Sequence, residues 1–147
     1  MAMVMDGAVQ LPAPREVVWA KLNDPEVLKI CIPGCQSLEK LSDSEFQAVV
    51  VTKIGPVKAK FKGKVRLTDL DPPNGYRISG EGDGGVAGFA KGGATVTLTP
   101  QDGGALLSYH VDAQIGGKLA QLGQRLVNGV AKKMADQFFE KFAGAVA

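Results

Sequence analysis

The 147-residue chain carries a formal net charge of only +2, with 45% hydrophobic and 22% charged residues. Such a chain suits one domain spanning residues 1–147 with a full core, and excludes a disordered or fibrous protein. So small a charge gives no basis for nucleic-acid binding, so any basic effect must come from local clustering.

Residues 1–6 lack the basic region and the long apolar run of a secretory signal. No apolar stretch approaches the roughly 20 residues of a membrane span. The cytoplasm is the expected location, with a peripheral place at the inner face of the cell membrane as an extension. A cytoplasmic chain keeps thiols reduced, so Cys31 and Cys35 read as two semi-buried thiols near a turn, with a disulfide as the alternative. A C-x3-C pair with one histidine elsewhere is a poor metal set.

Met5 to Leu11 alternates as a first strand. Pro12-Ala13-Pro14 opens a helix with Val18, Trp19 and Leu22 on one face. Asp24-Pro25-Glu26 opens a second helix, with Asp24 as the cap and proline in the first turn. Ile32-Pro33-Gly34 ends the pair. From there the period becomes two. Leu38 to Leu41 reads as a short strand, and Phe46, Ala48, Val50, Thr52 and Ile54 mark the next.

The clearest strand runs from Val57 to Leu67. Val57, Ala59, Phe61, Gly63, Val65 and Leu67 fall on one side, and Lys58, Lys60, Lys62, Lys64 and Arg66 on the other. One buried and one wet face is the pattern of an antiparallel sheet over a core. After the turn at 71–75, Tyr76 and Ile78 point inward, and Arg77, Ser79, Glu81 and Asp83 outward. A glycine-rich stretch, 80–93, reads as a flexible hairpin or lid with Phe89 on its apolar side; the alternative is a tight turn with a bulge. Ala94, Val96 and Leu98 and then Ala105, Leu107, Tyr109, Val111, Ala113 and Ile115 form the last inward rows. The remaining residues, about 30, read as one helix with Leu119, Leu122, Leu126, Val130, Met134, Phe138 and Phe142 on its stripe. Gly123, Gly129 and Gly144 within it suggest close approach to the sheet or a bend.

Helices segregated from an antiparallel sheet define the α+β class. The expected architecture is a curved sheet wrapped around the long terminal helix, a helix-grip fold, with two short helices after the first strand. Many inward positions are small, including Gly63, Gly80, Gly82, Ala48, Ala59, Ala94 and Ala113. Small residues do not fill space, so an internal pocket is expected. The alternative is a core closed by Phe46, Phe61, Tyr76, Tyr109, Phe138 and Phe142.

Several blocks also carry a family likeness: Pro14-x-x-x-Val18-Trp19, Leu22-x-Asp24-Pro25, Ile32-Pro33-Gly34-Cys35, Gly55-Pro56-Val57-Lys58-Ala59-Lys60-Phe61-Lys62-Gly63-Lys64-Val65, and Phe138-Phe139. With them the chain resembles the CoxG family, the G subunits of carbon monoxide dehydrogenase, within the START/Bet v 1-like helix-grip (SRPBCC) superfamily, over nearly its whole length. The resemblance implies a helix-grip domain that accompanies a molybdenum-containing carbon monoxide dehydrogenase or related hydroxylase. Membrane attachment of that enzyme, or binding of a respiratory quinone, belongs to the same implication. Helix-grip relatives also include cyclases and hydrolases.

Catalytic groups are scarce. His110 is the only histidine, lies two residues from Ser108, and has outward parity; no nucleophile motif appears. The cluster Gly80-Glu81-Gly82-Asp83-Gly84-Gly85 lacks the Gly-Lys-Ser/Thr ending of a phosphate loop. Paired carboxylates such as Glu81 and Asp83 fall on the outer face or in turns, whereas acid–base work wants an apolar pocket. No catalytic and no metal-binding residue is therefore expected.

The expected function is non-catalytic binding of an apolar, quinone-like or lipid-like molecule, with no obligatory cofactor. The expected pocket is lined by Val50, Thr52, Ala59, Phe61, Tyr76, Ile78, Phe89, Val96, Leu107, Tyr109, Leu122, Leu126 and Val130. One or two of the hydroxyls of Thr52, Tyr76 and Tyr109 would orient a carbonyl. The outer row of Lys58, Lys60, Lys62, Lys64 and Arg66 is the expected surface for an enzyme partner or an anionic membrane. A solvated face balanced by Glu81 and Asp83 is the alternative. Aromatic stacking residues are not expected on that face, which speaks against nucleic acid.

Overall fold

Alternation of apolar and polar residues writes the sheet. In the computed structural model, which describes residues 1–147, seven strands form one antiparallel sheet. They are β1 (Ala2–Leu11), β2 (Cys35–Ser42), β3 (Glu45–Ile54), β4 (Val57–Asp71), β5 (Gly75–Asp83), β6 (Phe89–Gln101) and β7 (Gly104–Gly116). The spatial order is β1-β7-β6-β5-β4-β3-β2, so β2 to β7 form a meander and β1 closes beside β7. Four helices complete the chain: α1 (Arg15–Leu22), α2 (Pro25–Cys31), α3 (Lys118–Gln121) and α4 (Gln124–Val146). The architecture is the expected α+β helix grip.

The carboxylate of Asp24 accepts the Glu26 N–H at 3.0 Å, and Pro25 fills the first helical position of α2, where its missing donor costs nothing. α4 approaches α1, α2, β1 and β3 most closely. At ~1.5 Å per residue its 23 residues span roughly 35 Å.

Three expectations about the elements need correction. β1 starts at Ala2 rather than Met5, because the Met1 ammonium and carbonyl pair with Ile115 and extend the ladder. β2 runs from Cys35 to Ser42, longer than the four residues expected, with two irregularities in its register. The terminal helix is broken. Leu122 ends α3, and Gly123 has φ +91° before α4 begins, a left-handed conformation that glycine adopts without a Cβ penalty. Gly129 and Gly144 are exposed with open space around them, so neither marks a close approach to the sheet.

Candidate functional site

Two buried clusters close opposite ends of the grip. The larger holds 14 residues where β1 and β4 end, where β5 and β7 begin and where α4 finishes; Phe142, Leu11, Leu98, Leu107, Val18 and Cys31 are its largest fully buried side chains. The smaller holds five, Met3, Ile54, Ile115, Leu119 and Val127, at the opposite end.

Between them lies a belt of inward-facing residues that belong to neither cluster and stay only half-buried. Met5, Val50, Thr52 and Ala94 supply it from the sheet and Met134 from α4. Gly63 pairs with Gly82, and Gly80 with Gly92, on the neighbouring strands. No charged side chain of the chain is buried. The Thr52 hydroxyl meets the Met134 thioether at 3.8 Å, a weak acceptor. Tyr109 stacks on Phe139 with ring centroids 5.3 Å apart, over Gly7, where any Cβ would collide with the tyrosine ring. Tyr76 meets Trp19 edge-on at 5.2 Å, and burial pushes its hydroxyl well above the ordinary tyrosine range.

The expected lining residues fall into three groups. Tyr76, Val96 and Leu107 are buried in the larger cluster, with Ile78 and Tyr109 packed against it. Phe61, Leu122 and Val130 pack against the smaller cluster, while Val50 and Thr52 lie between the two and Ala59 is buried beside them on β4. Phe89 and Leu126 are elsewhere. Phe89 lies directly opposite Asp83 on the outer face, 49% exposed, with its ring over Gly116. The lid reading fails there: only residues 85–87 make a short helical turn, and Phe89 already belongs to β6. That ring also puts one aromatic residue on a face expected to have none. Leu126 is 37% exposed and rests near the Gly55 turn, and at the start of α4 it is Val127 that is buried in the smaller cluster. Phe139 and Gly7 were not anticipated. The Phe138-Phe139 pair and the inward parity of Gly7 were their only signals.

The outer row of β4 is exposed throughout, as its parity requires. Cross-strand register divides it. Arg66 pairs with Glu45 at 3.4 Å, Lys62 stands opposite Asp83, and Lys64 opposite Glu81. Lys53 instead faces Lys58, and Lys60 faces Val51. A trough of about 770 Å³ crosses the balanced part, with Lys62, Lys64 and Lys91 against Glu81 and Asp83. His110 is on this face as well, its Nδ1 2.5 Å from a carboxylate oxygen of Asp6. Cys31 is buried and Cys35 half-buried; both are free thiols, and burial pushes both upward in pKa. No group of three or more His, Cys, Asp or Glu side chains stands together.

Comparison with known proteins decides the family. The profile of the carbon monoxide dehydrogenase G subunit (CoxG) matches residues 7–147. The chain belongs to that family. A conserved protein from Geobacillus kaustophilus has the same fold at TM-score 0.91, with 36% identity over 98% of this chain and 95% of that one. A START superfamily protein from Mycobacterium smegmatis follows at TM-score 0.73, 16% identity, covering 97% and 96% of the two chains. The Zhui aromatase/cyclase from Streptomyces sp. R1128 shares the fold at TM-score 0.72, with 10% identity over 99% and 94%. The chain spans about half the length of the curated relatives it matches, uncharacterised proteins of Mycobacterium tuberculosis that are 32% identical over 80 residues. This CoxG chain has a START-like fold, and none of its helices is long and apolar enough to cross a membrane.

Proposed function

We propose that this CoxG chain is a non-catalytic carrier. It holds an uncharged apolar molecule of the quinone or lipid-like class between the sheet and α4, and serves a molybdenum-containing carbon monoxide dehydrogenase or related hydroxylase. The observation that carries this reading is the half-buried belt between the two clusters. Its side chains face inward, yet they are covered only in part, and none is charged. Covering them with a ligand would contribute roughly 25 cal/mol per Å² before the cost of association.

The polar groups available suit a carbonyl. Thr52 exchanges a poor thioether partner for a better acceptor when its hydroxyl donates to a ligand. Tyr109, partly buried at the edge of the larger cluster, supplies a further hydroxyl. An unpaired charge would gain no partner in the belt, which disfavours anionic ligands. The same inventory disfavours an enzyme: hydroxyls and a thioether make no acid–base pair, and the single histidine lies outside.

The test is extraction. Purified protein mixed with quinone-containing membranes and recovered free of them is expected to carry one quinone by native mass spectrometry. Protein recovered without quinone, under saturating conditions, would overturn the reading.

A second reading, a docking subunit, is favoured by Lys53, Lys58 and Lys60, which have no acid across the strand. Reversing Lys58, Lys60, Lys62 and Lys64 to Glu is expected to abolish enzyme or liposome binding; unchanged co-sedimentation would eliminate it.

A further inference from the structure

The chain has four methionines, and they are placed unequally. Met3 is 8% exposed inside the smaller cluster, and Met1 packs against that cluster. Met5 on β1 and Met134 on α4 are half-buried and pack in neither cluster. Both belong to the belt, and the Thr52 hydroxyl is directed at the Met134 sulfur from 3.8 Å. The other two sulfurs are those of Cys31 and Cys35. Burial raises the pKa of both, which holds them as thiols rather than reactive thiolates.

A thioether is an apolar wall with a free lone pair. Adding one oxygen turns it into a polar sulfoxide, and susceptibility to that change follows exposure. At Met134 the new oxygen stands beside a hydroxyl already aimed at the sulfur. A thioether is a weak acceptor and a sulfoxide oxygen a strong one, so Thr52 donates to the sulfoxide and is lost to a ligand.

We propose that Met134, with Met5 as a second site in the same belt, is a reversible oxidation site that closes the belt to its ligand. This rests on the carrier reading and adds its regulation. Hydrogen peroxide is the oxidant. The sulfur lone pair attacks one peroxide oxygen, a sulfur–oxygen bond forms and the oxygen–oxygen bond breaks. Sulfur is oxidised by one electron pair and peroxide is reduced. The departing hydroxide takes the proton from the new S–O–H group and leaves as water. The sulfoxide then occupies room in the belt, and an apolar ligand has to cover a polar oxygen. A ligand already in place covers the sulfurs, so loaded protein resists the oxidant and empty protein does not.

The test treats the full chain with hydrogen peroxide, with and without prior loading by a short-chain ubiquinone from detergent micelles. Peptide mass mapping reads each methionine, and calorimetric titration reads quinone binding. Met5 and Met134 are expected to gain oxygen before Met3, and loading is expected to slow both several-fold. Quinone affinity of the oxidised chain is expected to fall about tenfold or more, the cost of an uncompensated polar group. Methionine sulfoxide reductases are expected to restore it, and dithiothreitol alone is not. The double variant Met5→Leu, Met134→Leu, compared with its own untreated form, is expected to keep its affinity after peroxide. Oxidation of Met3 as early as Met134, unchanged quinone affinity after oxidation, or an equal loss in the double variant would overturn the proposal. If the untreated chain takes up no quinone, the carrier reading falls and the switch with it. A chain that binds quinone equally before and after oxidation loses the switch alone.

Discussion

The two ends of the grip are built differently. At one, 14 buried residues from the sheet, α1, α2, the segment before α1 and the end of α4 pack together, the fully buried Phe142 among them. At the other, five residues suffice, and glycines at 55, 85, 88, 117 and 123 adopt positive φ around them. Buried apolar packing is concentrated at the first end, and the glycine turns are at the second. Elements with few buried apolar neighbours open first, so the second end is where local opening is expected.

The largest expected effect breaks the strong end. Phe142→Ala deletes the central side chain of the larger cluster and is expected to cost about 3–5 kcal/mol in urea unfolding. A cost near 1 kcal/mol would mean that the two ends do not differ as described. Next comes the belt between them. Thr52→Val keeps the shape but removes a hydroxyl whose only partner is a thioether. Stability is expected to change by less than about 1 kcal/mol, while quinone affinity falls several-fold in a calorimetric titration.

Tyr76 sharpens the comparison through pH. Its folded-state pKa is raised by burial, so the neutral form is the one that folding favours. The associated stability is fully present below about pH 10, the ordinary tyrosine value, and is lost as pH rises above it. Tyr76→Phe is therefore expected to flatten the alkaline arm of a urea-midpoint profile and to leave pH 7 nearly unchanged. The smallest effect concerns α4. Asn128 Oδ1 is buried without a hydrogen-bond partner, and alanine is the better helix former. Asn128→Ala is expected to stabilise by under about 1 kcal/mol, measured by thermal unfolding.

The sheet was legible because its faces differ. Along β4 every second residue from Lys58 to Arg66 is a cation, and only one register puts them all in water. Phe89 was also legible in principle: alternation carried back from Ala94 places it outside. Reading the glycines as a lid hid that parity. The break before α4 was legible only as a possible bend at Gly123, because Leu119, Leu122 and Leu126 keep helical spacing across it, and spacing does not report the φ of Gly123. Nor could the sequence divide the basic row, since charge balance there depends on which residues of β3 and β5 stand opposite. The small inward residues argue for space between the sheet and α4, but their pattern does not say where along the sheet it falls.

Ala94 provides the most direct measurement of that space. It lies in register between Ile78 and Val111, packed in neither cluster. If the belt is under-filled, Ala94→Leu is accommodated, with urea stability within about 1 kcal/mol of the parent, and quinone binding is lost because the leucine occupies the ligand's place. If the interior is solid, the added carbons overpack it, and unfolding measurements will show a loss of about 1–3 kcal/mol. That loss would contradict the account.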